Sequence, residues 1–246
     1  MGLEHLGGYM DKSIEMKYSS GNVLSDKIHK IGLIALGSHR ENHGSCLPID
    51  TDSKIASNLT LKVATDTGAT YLGIFYAATE YDYVKHGWHL DKDELIYGQI
   101  IPQLNNARKL LDLDSVIIVN GHGGNNLIKN NINIIEKECR LNIIFNNSLI
   151  ENEGPHACTG ELSMGKVLKI TDENKFDMHQ DFDKNPEVAM IGLKEARSNN
   201  KIIDEEASFV EEHGMNIDEK LGKKLLKDAY NSVMEDIKRI LKDNYS

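Results

Sequence analysis

A three-layer α/β fold, with helices on both faces of a mostly parallel central sheet, is what this sequence predicts, and two observations predict it. The first is a set of four short, nearly unbroken apolar runs: Ile31–Leu36, Tyr71–Ala77, Ser115–Asn120 and Leu141–Phe145. Strands covered on both faces read this way, whereas a half-exposed strand would alternate. The second is the helical periodicity between them, and strand–helix alternation is the pattern of an open parallel sheet.

Taken in order, the segment after the first run opens a helix at Asp52–Thr67, with Ile55, Leu59 and Val63 on one face. The next helix is expected over Asp93–Leu111, interrupted near Pro102 because proline removes a helical donor. A third is expected over Asn126–Cys139, with Ile128, Ile132 and Ile135 in register. Residues 171–187 are polar and turn-rich and read as a long surface loop. The last segment, Ile217–Leu241, repeats Leu221, Leu225, Ala229, Val233, Ile237 and Leu241, an amphipathic helix that packs on the domain or on another copy.

Size and charge narrow the function. The 246 residues suffice for one α/β domain, with residues 1–16 as a peripheral extension and Met1, Met10 and Met16 as alternative starts. Apolar content of 40%, charged content of 27% and a net charge of −10 describe a globular protein without the cationic surplus that nucleic-acid binding requires. No apolar run approaches the roughly 20 residues of a membrane span, and the N-terminus lacks a secretory pattern. Cys46, Cys139 and Cys158 show no paired spacing, which fits a reducing cytoplasm and no thiolate metal site.

Chemistry gathers in the segments that follow the strands, where sites of α/β sheets form. GSHRENHGSCLPIDTD carries Glu41 and His43, one residue apart and so able to face one way in extended chain, and Asp52. Taken alone, Asp52 reads equally as a helix-capping residue. NGHGGN places His122 among glycines, with Asn125 behind it; it matches neither glycine-rich nucleotide fingerprint. GPHACTGELS offers His156 and Glu161. TEYDYVKHGWH offers Glu80, His86, Trp88 and His89, either an ordinary surface loop or a wall that stacks on a flat ring and hydrogen-bonds its edges. Oxygen and imidazole donors in this number suit two metal ions and an acid/base residue.

Together GSHRENHG…LPIDTD, NGHGGN and HACTGELS resemble the signature segments of the creatininase family of metal-dependent amidohydrolases, over about residues 20 to 210. The resemblance implies a creatininase-like three-layer αβα fold, a homo-oligomer and two divalent metal ions per subunit. It favours Fe(II), with Zn(II) or Mn(II) as alternatives. Carried over position by position, it implies Glu41, His43, Asp52 and His122 as metal ligands, Asp52 as the bridge and His156 as the catalytic histidine. Creatinine-hydrolysing members have a ligand glutamate where this chain has Gly124, and Glu161 is the candidate to replace it. They also have glutamate where this chain has Pro155, a second departure that argues against creatinine as substrate.

The wording of the first segment and of TEYDYVKHGWH is most similar to the archaeal branch that removes formyl from a pyrimidine nucleotide in flavin and deazaflavin biosynthesis. A small pyrimidine nucleotide is therefore the expected substrate, with Glu80, His86, Trp88, His89 and Asn125 as its binding residues. A relative acting on a lactam or peptide, and a non-catalytic nucleotide-binding protein, remain the alternatives.

Overall fold

The computed structural model describes residues 23–245, so the expected extension at 1–16 lies outside the described residues. Four strands, β1 (Ile31–Leu36), β2 (Thr70–Phe75), β3 (Ser115–Asn120) and β4 (Asn142–Asn146), form one sheet in the order β2-β1-β3-β4 with every pairing parallel. All six residues of β1 and all six of β3 are buried, as their unbroken apolar runs require. β2 and β4 are the edges. Each is less buried and is displaced by a residue or two from the apolar run that predicts it.

Two cores sandwich the sheet. Ile31, Leu33, Ile117 and Val119 face a core closed by α1 (Thr51–Thr67) and the C-terminal helix. Ile34, Leu36, Val116 and Ile118 face the opposite core, closed by Leu95, Ile96, Ile100, Leu104 and Ile135. Successive residues of each strand thus serve opposite layers, the period-two geometry of a pleated sheet.

The helix expected at 93–111 is present as α2 (Lys92–Leu95) and α3 (Ile101–Leu111), joined through a π-helical turn at Ile96–Ile100. Pro102 lacks an N–H to donate, and the wider turn ahead of it accommodates that loss. The helix expected at 126–139 is two, α4 (Asn126–Lys129) and α5 (Ile132–Cys139), parted where Asn130 and Asn131 favour local turns over helix.

Past β4 the chain adds α6 (Ser148–Glu153) and α7 (Thr159–Leu168). The expected surface loop at 171–187 contains α8 (Phe176–His179), and His179 there is wholly buried. Its Nδ1 accepts from the Cys46 N–H at 3.1 Å and its Nε2 donates to the Ala157 carbonyl at 2.8 Å, so it pins the loop after β1 to the segment before α7. After α9 (Lys194–Asn199) and α10 (Lys201–His213), α11 (Glu219–Tyr245) lays Leu225, Ala229, Val233, Ile237 and Ile240 against the first core. Its stripe is therefore spent on this chain. Ile237 is fully buried, and Ile237→Ala is expected to cost about 2–5 kcal/mol, read as a lower urea midpoint with unchanged metal content.

The strand order reverses between β1 and β3, so the crevice above their C-terminal ends is the natural place for a site. Glycines at both strand exits admit a helix there. A Cβ on Gly37 would stand 2.6 Å from the Ser53 nitrogen, and one on Gly121 would stand 2.9 Å from the Asp52 carbonyl oxygen. Side chains at either position would push the first turn of α1, and Asp52 with it, off the sheet.

Candidate metal centre

Asp52 does not cap its helix; its carboxylate turns inward to two histidines. Oδ1 lies 2.7 Å from His43 Nε2 and Oδ2 lies 2.9 Å from His122 Nδ1. The other nitrogen of each ring is held by backbone. His43 Nδ1 donates to the Glu41 carbonyl at 3.0 Å, and His122 Nε2 donates to the Thr79 carbonyl at 3.1 Å. Both rings are thereby oriented with one nitrogen directed at Asp52, the backbone-anchored arrangement that fixes metal-binding histidines.

Glu41 is the centre of the cluster. Its residue is 2% exposed, Oε1 contacts His86 Nε2, and Oε2 lies 2.9 Å from His122 Nδ1 and 3.7 Å from His89 Nε2. Despite that proximity Oε2 is without a hydrogen-bond partner, His122 Nδ1 pairing with Asp52 Oδ2 at the same distance. Glu161, on the first turn of α7, lies 3.4 Å from His43 Nε2 through Oε2, which also has no partner, while Oε1 accepts from the Ala157 N–H at 3.1 Å. His156 Nδ1 is 3.7 Å from both Glu41 and Glu161.

The electrostatics ask for a cation. Burial would raise the Glu41 carboxyl, but the charges of His122 and His86 outweigh it and hold the group well below the usual carboxylate range. Burial would likewise lower His43 and His122, yet Asp52 and Glu161 hold the first, and Glu41 and Asp52 the second, well above the ordinary imidazole value. Glu161 is raised to about 7 by burial and by the Asp52 charge, with His43 opposing. Without a metal, the histidines must carry the positive charge that so many enclosed carboxylates need. A metal would release those protons and occupy the same space. Two buried carboxylate oxygens without donors, on Glu41 and Glu161, are costly unless a cation meets them. Donor atoms of Glu41, His43 and Asp52 lie within 4.8 Å of one another, as do those of His43, His156 and Glu161. The residues present fit a metal group.

The loop from Thr79 to His89 belongs to this centre more closely than its surface-like composition suggests. Glu41 and Gly87 form an antiparallel bridge, the Asn42 N–H donates to the His86 carbonyl, and the Trp88 N–H donates to Arg40. That pairing carries His86, His89 and Glu80 inward. Trp88 goes the other way: it is 74% exposed, with the Arg40 guanidinium 4.6 Å above its ring. Asn125 is fully buried beneath the site, and its amide is spent on the Thr79 N–H and on Asn120 Oδ1. It ties the 79–89 loop to β3, and it is not among the residues lining these two cavities.

Two cavities reach the cluster. An open cleft of about 1020 Å³ runs over Glu41, Glu80, His86, Trp88 and His89. A narrower cavity of about 440 Å³ touches Glu41, Asp52, His122, His156 and Glu161 together. The smaller one holds the chemistry. It is also bounded by Gly123 of the NGHGGN turn, and by Glu153 and Met190, which the sequence pattern does not single out. A Cβ on Gly123 would meet nothing within 4 Å, so the packing does not demand glycine there.

No protein-family model matches the chain. It is 61% identical over 229 residues to the 2-amino-5-formylamino-6-ribosylaminopyrimidin-4(3H)-one 5′-monophosphate deformylase of Methanosphaera stadtmanae, covering 93% of this chain and 98% of that one. The chain belongs to this deformylase family. The deformylase of Methanothermobacter thermautotrophicus is 49% identical, with 93% and 97% covered, and that of Methanococcus maripaludis is 44% identical, with 93% and 100% covered. Among solved structures, a Zn–Zn creatininase variant aligns with a TM-score of 0.60 at 14% identity, covering 88% of this chain and 91% of that one. A manganese creatininase aligns with a TM-score of 0.58 at 14% identity, with the same coverage. The deformylase family thus has the creatininase-like αβα fold, as the motifs imply. No helix among the described residues is long and apolar enough to cross a membrane.

Proposed function

We propose that the protein hydrolyses the formamide of 2-amino-5-formylamino-6-ribosylaminopyrimidin-4(3H)-one 5′-monophosphate to formate and the free ring amine, using two divalent metal ions. The observation that carries this reading is Asp52, whose two carboxylate oxygens separately address His43 and His122. A carboxylate so placed could serve two ions, one oxygen toward each histidine. Glu41, His43, Asp52, His122 and Glu161 would hold the pair. The family membership supports the substrate.

The chemistry such ions supply is polarisation of the formyl carbonyl and acidification of a nucleophilic water. His156 moves the protons. Its Nε2 donates to the Asn42 carbonyl at 2.9 Å, which leaves the Nδ1 lone pair facing Glu41 and Glu161. Burial, with the His43 charge, lowers the ring to about 3, so in the metal-free protein it is neutral at physiological pH. Nδ1 takes a proton from the attacking water and returns it to the formamide nitrogen as its bond to the formyl carbon breaks, so that the amine leaves neutral. Glu161 holds the turn before α7 through the Ala157 N–H and so fixes His156 relative to the carboxylates.

The donors, carboxylates and imidazoles without a thiolate, suit Fe(II), Zn(II) or Mn(II), and the family resemblance favours Fe(II). The unpaired, buried Cys46, Cys139 and Cys158 fit a cytoplasmic setting. One sheet serving both cores supports a single domain over the described residues, and the resemblance supports a homo-oligomer. In the test, the protein is loaded anaerobically with Fe(II) and formate release from the nucleotide is followed, with creatinine as control. Rapid release from the nucleotide alone is expected. Two bound ions with no formate would move the substrate to the lactam or peptide branch.

A further inference from the structure

Glu80 lines both cavities and also reaches the donor cluster. It leaves the 79–89 loop and is packed inward, its side chain 7% exposed. Oε1 accepts from the Tyr81 N–H at 2.8 Å, which fixes the carboxylate plane, and Oε2 lies 3.5 Å from His122 Nε2. Its position depends on one missing side chain. A Cβ on Gly124 would stand 2.5 Å from Glu80 Oε1 and 2.5 Å from the Thr79 carbonyl oxygen. Gly124 is thus the floor on which Glu80 rests. The carboxylate fills the space that a side chain on the β3 loop would otherwise take.

Around it stand Glu41, His89 and His122, and single donor atoms of all four lie within 4.8 Å of one another. His89 is stacked on His122, with ring centroids 5.0 Å apart, and its Nε2 is 3.0 Å from Ser38 Oγ. A second observation marks the space between these groups as a ligand's. Glu41 Oε2, almost completely buried, points into it with no hydrogen-bond partner. An acidic pair at this depth, flanked by two imidazoles, is poorly satisfied by hydrogen bonds and well satisfied by a cation.

We propose that Glu80 is a ligand of the ion held by Glu41, and that Gly124 is glycine so that this carboxylate can enter. Glu161 then serves the other ion with His43, on the far side of Asp52. The two ions are thus held by different outer carboxylates, Glu80 from the loop after β2 and Glu161 from α7. This rests on the two-metal reading above, and it reassigns Glu80 from substrate contact to metal shell.

The test is a Co(II) titration of metal-free protein, followed by visible absorption and by bound metal per chain. Wild type is expected to bind two ions. In Glu80→Gln, which keeps the shape of the side chain, one of the two should bind at least tenfold more weakly, with a changed absorption envelope. Gly124→Ala should copy that loss by displacing Glu80, and the Gln variant decides the matter if the Ala variant misfolds. Two ions bound by Glu80→Gln within tenfold of wild type would overturn the assignment while leaving the proposed function intact. Failure of wild type to bind any ion would instead overturn the two-metal reading itself.

Discussion

Asp52→Asn is expected to abolish most of the formate release, lowering kcat/KM by about 10³-fold or more, some 4 kcal/mol of barrier. The amide is nearly isosteric, so the first turn of α1 should keep its seat over Gly37 and Gly121. What changes is charge and symmetry. A carboxylate offers two equivalent anionic oxygens, one toward His43 and one toward His122, whereas asparagine offers a single neutral acceptor. Bound metal should therefore fall from two ions per chain toward one. Full metal content with full activity would mean that Asp52 only orders the two histidines.

His156→Gln should behave differently. Bound metal is expected to remain near two, while kcat falls by about 10²–10⁴-fold, the range of a general acid/base. The pH dependence of stability supplies an independent readout. The folded ring is held near 3 against an ordinary value of 6.5, so the unfolded chain takes up this proton first as the solution is acidified. Wild type therefore loses stability on this account as pH drops from 6.5 toward 3. The metal-free glutamine variant, lacking the group, should lose less over that window in urea denaturation. If kcat survives the substitution, proton transfer belongs to another group lining the smaller cavity.

The central strands were legible because both faces of β1 and β3 are covered, and the apolar runs mark their limits to the residue. The donors that follow them were legible for a related reason: an ordinary connection has no use for Glu41, His43, Asp52 and His122. The 79–89 loop was harder. Its inward turn depends on an antiparallel bridge between residues 41 and 87, a pairing between distant segments that no local periodicity encodes. His179 was hidden likewise, because a buried histidine satisfied by two backbone groups leaves no trace in a polar stretch. The bracing by Asn125 was hidden too, because its partners Thr79 and Asn120 come together only in the fold. The α6 and α7 helices went unread because α7 holds Gly160 and Gly165 among its packed residues and α6 spans only six.

Gly123 has a consequence for how such an enzyme diverges. Its neighbours Gly121 and Gly124 are each pressed against other atoms, and Gly123 faces open space in the smaller cavity. A side chain acquired there would change what the cavity admits while leaving the sheet, both cores and the donor cluster as they are. Most mutations beside a catalytic centre impair folding and chemistry together. A substitution at Gly123 is therefore expected to alter which substrates the cavity accepts while leaving the urea midpoint unchanged.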